Sequence, residues 1–180
     1  MPPDALQDKA ELAAFVKFVR ESNVRSYLEV GCKFGGSMWE IANAMPSDSR
    51  IVGIDTEARP ELKETCRQIG KRGYKVDLIV GDSTHRMIIE KARKLGPYDL
   101  CLIDANHTEK FVRSDWANYG PMARIVAFHD IAWDQGDRPA KSWKIEVPKV
   151  WNEIKNEFKH HEIKLCPTRR DNGFGILWRS

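Results

Sequence analysis

The stretch Tyr27-Leu-Glu-Val-Gly-Cys-Lys-Phe-Gly-Gly-Ser-Met38 decides the reading of this chain. Ser26 to Val30 supplies Tyr, Leu and Val, residues suited to a buried parallel strand. Glycines follow, and then Ser37 can cap a helix running through Met38, Trp39, Ile41 and Ala42. A strand that ends in glycines and reopens as a helix gathers backbone N–H groups and a positive helix end at one point. A polar or anionic ligand is expected there. The spacing is Glu29-x-Gly31-x-x-x-Gly35-Gly36, with Lys33 where a dinucleotide fingerprint needs its second glycine. A pyrophosphate lying on this loop is therefore not expected.

Around that stretch the chain alternates strands and helices. An amphipathic helix over Asp4 to Glu21, capped by Asp4, presents Leu12, Phe15, Val16 and Val19 as one apolar face and carries no chemistry. Arg50 to Asp55 forms a second strand, and Pro60 to Arg72 a helix with Leu62, Cys66 and Ile69 inward. The third strand, Val76 to Val80, stops at Gly81-Asp82-Ser83 before a helix over Thr84 to Lys94. Tyr98 to Asp104 is the fourth strand, followed by Ala-Asn-His107 and a helix containing Phe111, Val112, Trp116 and Tyr119. Ala123 to Phe128 is the fifth, ending in His129-Asp130. Residues 131–147 form a long polar loop with Trp133 and Trp143, of the kind that covers a substrate. A helix from Val147 to about His161 precedes two apolar runs joined across Asn172-Gly173, a hairpin signal.

Five near-continuous apolar strands alternating with helices predict an α/β fold: a doubly wound, mostly parallel seven-stranded sheet, closed by a C-terminal antiparallel hairpin, with helices on both faces. The 180 residues form one domain on this reading. Ligands in such sheets sit at the carboxyl ends of the strands, where the acids and histidines above all fall. The formal charge of +3 is too small to argue for nucleic acid, and no aromatic-rich basic groove is written in the chain. No apolar run reaches membrane-spanning length, so no membrane role is expected. Met-Pro-Pro-Asp lacks signal-peptide features, and Cys32, Cys66, Cys101 and Cys166 form no Cys-x-x-Cys pair. A cytoplasmic protein with reduced thiols is the expectation.

The Glu29-x-Gly31-x-x-x-Gly35 segment resembles the first motif of the Rossmann-like methyltransferases that use S-adenosylmethionine, whose loop wraps the amino-acid end of the cofactor. The resemblance runs in ordered motifs from about Tyr27 to Trp178. It implies cofactor contacts from Glu29, Gly31, Lys33, Gly35 and Ser37, from Asp55 to the ribose, from Asp82 and Ser83 to the adenine, and from Asp104. For Asp55 the residue-level alternative is a solvated strand end or a helix cap, and for Asp82 the cap of the next helix; both roles can coexist.

Asp104 and the His129-Asp130 pair end the fourth and fifth strands. Neighbouring strands lie about 4.8 Å apart, so these tips can share one ion. They resemble the metal site of small O-methyltransferases of the catechol, macrocin and cephalosporin-pathway kind, which implies Asp104, His129 and Asp130 as ligands. Those enzymes carry an acid where this chain has His129. Imidazole suits manganese, iron or zinc better than magnesium, so the metal differs, His129 serves another purpose, or no metal binds. His107, three residues beyond Asp104, matches the position of a lysine or histidine general base and is a catalytic candidate with Asp104. The bland alternative is a contact to the following helix. Lys33 reads as a surface or cofactor-carboxylate contact. The resemblance thus implies methyl transfer to a hydroxyl of a small molecule, with S-adenosylmethionine and Mg or Mn as cofactors. Two other readings stay open: a metal-independent enzyme acting on nitrogen or a macromolecule, and a non-catalytic cofactor-binding protein. Relatives pair through the sheet edge or an N-terminal segment, so a homo-oligomer is compatible with the chain, although its N-terminal helix is short.

Overall fold

Seven strands form one sheet in the order β3-β2-β1-β4-β5-β7-β6 in a computed structural model. The structure describes residues 5–132, 145–165 and 173–179. Strands β1 (Ser26–Val30), β2 (Arg50–Asp55), β3 (Lys75–Val80), β4 (Tyr98–Ile103) and β5 (Ala123–His129) are mutually parallel. Strand β7 (Phe174–Trp178) runs antiparallel between β5 and β6 (Lys159–Ile163). The expected mostly parallel sheet with its antiparallel C-terminal hairpin is present.

Alternating side chains serve two cores, as a sheet covered on both faces requires. Leu28, Val30, Val52, Ile54, Cys101, Ile103 and Phe128 pack under helices α4 (Arg86–Leu95), α5 (Glu109–Tyr119) and α6 (Val147–Ile154). Tyr27, Ile51, Leu100, Leu102 and Ile125 face α1 (Lys9–Glu21), α2 (Gly36–Ala42) and α3 (Pro60–Lys71). Strand register then aligns the chemistry. Val30 pairs with Ile54 and Ile103, Ile103 with Phe128, and Asp55 with Val80. The residues just beyond these pairs therefore emerge along one edge, and the chain reverses its strand order between β1 and β4, where a crevice opens.

Several boundaries depart from the sequence reading, each for a local reason. Helix α1 begins at Lys9, because Asp8 accepts hydrogen bonds from the amides of Ala10 and Glu11. Asp4 lies outside the described residues. Val16 is half-buried, and Glu11 is buried in its place. Likewise, α3 turns Thr65 inward and leaves Cys66 half-buried. Helix α4 starts at Arg86 rather than Thr84, capped by His85, so Asp82 is not its cap. Helix α6 stops at Ile154 instead of continuing to His161. A 3₁₀ turn over Lys155–Glu157 leads into β6, whose residues pair with β7 from Lys159 onward. Partnership with β7 outweighs the weak helical preference of Lys-His-His-Glu. Trp133 and Trp143, Cys166 and the turn up to Asn172 lie outside the described residues. No helix among those described is long and apolar enough to cross a membrane.

Candidate active site

The loop after β1 is shaped by two glycines. Gly31 has φ +93°, and a Cβ there would stand 2.3 Å from the Asp104 carbonyl oxygen, where the β1 and β4 ends cross. Gly35, at φ +84°, is the N-cap of α2 and has no room for a side chain beside Thr65. Ser37 is therefore not the cap. It sits in the first turn and donates to Oε1 of Glu29 at 2.5 Å, while the Tyr27 hydroxyl donates to Oε2 at 2.6 Å. Burial raises the Glu29 carboxyl to about 8, against the opposing pull of those two hydroxyls. Glu29 thus braces the loop from beneath, out of reach of the cavity.

The cavity itself measures about 820 Å³, ample for a nucleoside-sized ligand. Gly31, Lys33, Ser37, Asp55, Asp82, Ser83, Asp104, His107, His129 and Asp130 all line it. Glu29 and Gly35 do not. Asp55 holds the β1 loop: its Oδ2 accepts from the amides of Cys32 at 3.0 Å and Lys33 at 2.7 Å, and Oδ1 accepts from the Glu57 amide at 2.9 Å. A carboxylate offers about four acceptor positions, so capacity remains for a ligand hydroxyl. Asp82 accepts from the Thr84 hydroxyl and amide, which hold its carboxyl below the ordinary range. The Tyr119 hydroxyl of α5 donates to the Ser83 carbonyl at 2.6 Å and fixes that turn from below.

At the β4 and β5 ends a denser cluster forms. Nε2 of His107 lies 3.4 Å from Asp104 Oδ1 and 3.1 Å from Asp130 Oδ2. Nδ1 of His129 lies 3.4 Å from Asp104 Oδ1 and 3.2 Å from Asp130 Oδ1. Asp130 adopts φ +62°, a backbone conformation that turns its carboxylate back toward the histidines. Burial opposes charge on every member, but the opposite charges win. The histidines hold the Asp104 and Asp130 carboxyls below their usual range. The two acids lift His107 to about 9 and His129 to about 10. Two acids and two imidazolium ions make a neutral set. Ligand atoms of Asp104, His107 and Asp130 lie within 4.8 Å of one another, a donor set of two carboxylates and one imidazole that fits a divalent cation such as manganese. His107 stands in that group, where the sequence analysis had named His129 as the third ligand. The His129 ring lies tilted against Phe174, with centroids 4.8 Å apart, and its Nε2 is buried with no partner among the described residues.

Some lining residues had no sequence signal. Phe34 is flanked by Lys33 and Arg59, each 5.7 Å from its ring, and Phe111 closes another side. Gln7 donates from Nε2 to Asp104 Oδ2 at 2.7 Å. Nothing in the composition of the segment before α1 indicates that it crosses the β4 end. Ile145 also lines the cavity, and the Glu146 amide donates to the His107 carbonyl at 2.7 Å, so the returning end of the long loop reaches the site.

Residues 28–131, more than half of the chain, match the methyltransferase domain family, and the chain belongs to it. No match was found among curated proteins. Two O-methyltransferases are among the solved structures that share the fold. The O-methyltransferase TomG of Streptomyces achromogenes, involved in tomaymycin synthesis and determined with SAM, is 20% identical with TM-score 0.75, over 99% of this chain and 83% of that one. An O-methyltransferase of Bacillus cereus in complex with SAH is 13% identical with TM-score 0.77, over 99% of this chain and 84% of that one. The protein is therefore a Rossmann-like methyltransferase by family and by fold.

Proposed function

We propose that this methyltransferase uses S-adenosylmethionine to methylate a hydroxyl oxygen of a small molecule. The observation that carries the reading is one continuous cavity along the strand ends, with a glycine loop and two acids at one side and the Asp104 cluster at the other. Membership of the methyltransferase family and the SAM and SAH in the two similar structures support it. On this reading Gly31, Lys33 and Ser37 surround the amino-acid end, Asp55 accepts from ribose hydroxyls, and Asp82 and Ser83 meet the adenine. Glu29 and Gly35 act by shaping the loop. The cofactor supplies an already activated methyl group, so the protein's task is alignment and water exclusion.

Asp104 and Asp130 would hold a divalent cation, with the His107 and His129 imidazoles beside both carboxylates; such a cation would supply Lewis acidity toward an oxygen nucleophile. The same cluster explains how His107 can be a base. While the carboxylates are uncompensated, their field keeps it protonated, with its pKa raised to about 9. Once their charge is neutralised, the imidazole returns toward its ordinary range and can accept the hydroxyl proton at Nε2. The loop spanning 131–147 would cover the acceptor.

Calorimetric titration with S-adenosylmethionine and S-adenosylhomocysteine, with and without Mg or Mn, tests the reading. Micromolar binding of either nucleoside is expected. Absence of binding under every metal condition would sink it.

A further inference from the structure

The start of α1 is fastened to the far end of the sheet. Glu11, only 1% exposed, accepts hydrogen bonds from the Leu165 and Gly173 amides, both at 2.8 Å. With Asp8 capping the helix, the preceding residues are steered over the carboxyl end of β4, and Ala5, Leu6 and Gln7 line the cavity. Gln7 meets Asp104 with its amide nitrogen. The opposite orientation would set a carbonyl oxygen against a carboxylate, so the assignment follows from chemistry. The two oxygens of Asp104 are consequently divided: Oδ2 accepts from Gln7, while Oδ1 faces both imidazoles at 3.4 Å. Gln7 Oε1 is buried and has no partner among the described residues. A buried acceptor in a cavity wall calls for a donor from the ligand side, such as water or a hydroxyl. Gln7 also lies outside residues 28–131, so the family match says nothing about it.

We propose that Gln7 is a positioning residue of the divalent-cation site, holding Asp104 so that Oδ1 faces the ion beside His107 and Asp130. This rests on the cation reading above. Hydrogen bonds from outer residues orient carboxylate ligands, and their loss typically weakens metal binding by roughly 10–100-fold.

Manganese(II) titration of the metal-free full chain, read by electron paramagnetic resonance of the free aqua ion, provides the test. Wild type, Gln7→Met and Asp130→Asn are compared, alongside thermal melting and S-adenosylmethionine calorimetry on each sample. Met keeps the volume of Gln7 and removes the donor. The expected result is that wild type binds manganese, Asp130→Asn weakens binding, and Gln7→Met weakens it roughly 10–100-fold. The spectrum of bound manganese in Gln7→Met should also show altered zero-field splitting. Equal manganese affinity in Gln7→Met and wild type overturns the proposal. So does a parallel loss of manganese affinity, nucleoside affinity and melting temperature, which would make Gln7 a structural wall. Absence of manganese binding in wild type overturns it too, and retained S-adenosylmethionine binding in that sample would separate this failure from failure of the methyltransferase reading.

Discussion

The two ends of the cavity are built on different principles. At the β1–β3 end, backbone does most of the work. The Gly31 and Gly35 conformations, the Cys32 and Lys33 amides on Asp55, and the Thr84 amide on Asp82 are turn interactions within or between adjacent strand ends. At the β4–β5 end, side chains do the work. Asp104, His107, His129, Asp130 and Gln7 converge from three separate parts of the chain and balance one another's charge. A backbone-built site suits a constant ligand, and a charge-built site is one whose protonation and chemistry change with what enters it.

The contrast can be broken by mutation. His107→Ala should produce the largest effect, a fall in kcat of about 10²–10⁴-fold, the usual contribution of a positioned general base. S-adenosylmethionine affinity should change little. A comparable loss of cofactor affinity, measured by calorimetry, would show that the two ends are not separable. Gly31→Ala should cost about 2–4 kcal/mol in urea unfolding, because a side chain at φ +93° also collides with the Asp104 carbonyl. It is the change expected to damage both ends together, since it lies at their crossing.

Asp55→Asn should weaken S-adenosylmethionine binding about 10-fold through loss of charge-assisted hydrogen bonds to the loop and ribose, leaving manganese binding intact. Loss of manganese binding instead would contradict the division. A separate effect concerns pH. Glu29 has a folded-state pKa of about 8, above its ordinary 4.5, so the folded protein holds a proton that the unfolded chain releases between those values. This contribution to stability is complete below about 4.5 and is lost as pH rises to about 8, with a slope approaching 1.4 kcal/mol per pH unit. Glu29→Gln should flatten that slope in denaturant unfolding at a series of pH values. An unchanged slope would show that Glu29 is not the buried proton carrier.

Strand and helix order, the position of the ligand crevice and the acids along it are local properties. Apolar runs, glycines at strand ends and acids immediately beyond them appear in the chain in the order in which they act, so Gly31, Asp55, Asp82 and Asp104 were readable one by one. Helix ends were read less well, because a cap depends on which side chain reaches an amide: Asp8 and His85 do so, while Ser37 turns to Glu29. The end of α6 was decided by β7, a partner distant in sequence at β6's first residue.

What the sequence by itself determined was the α/β sheet, its strand ends and the candidate residues on them, since periodicity and turn chemistry are written in neighbouring positions. Tertiary structure alone decided that both histidines meet the two carboxylates, that Glu29 is buried beneath the loop, and that Gln7 reaches Asp104 across a separation of 97 residues. Those contacts depend on the register of the sheet and on the docking of α1. Both are set by burial summed over the whole chain, which no local pattern records.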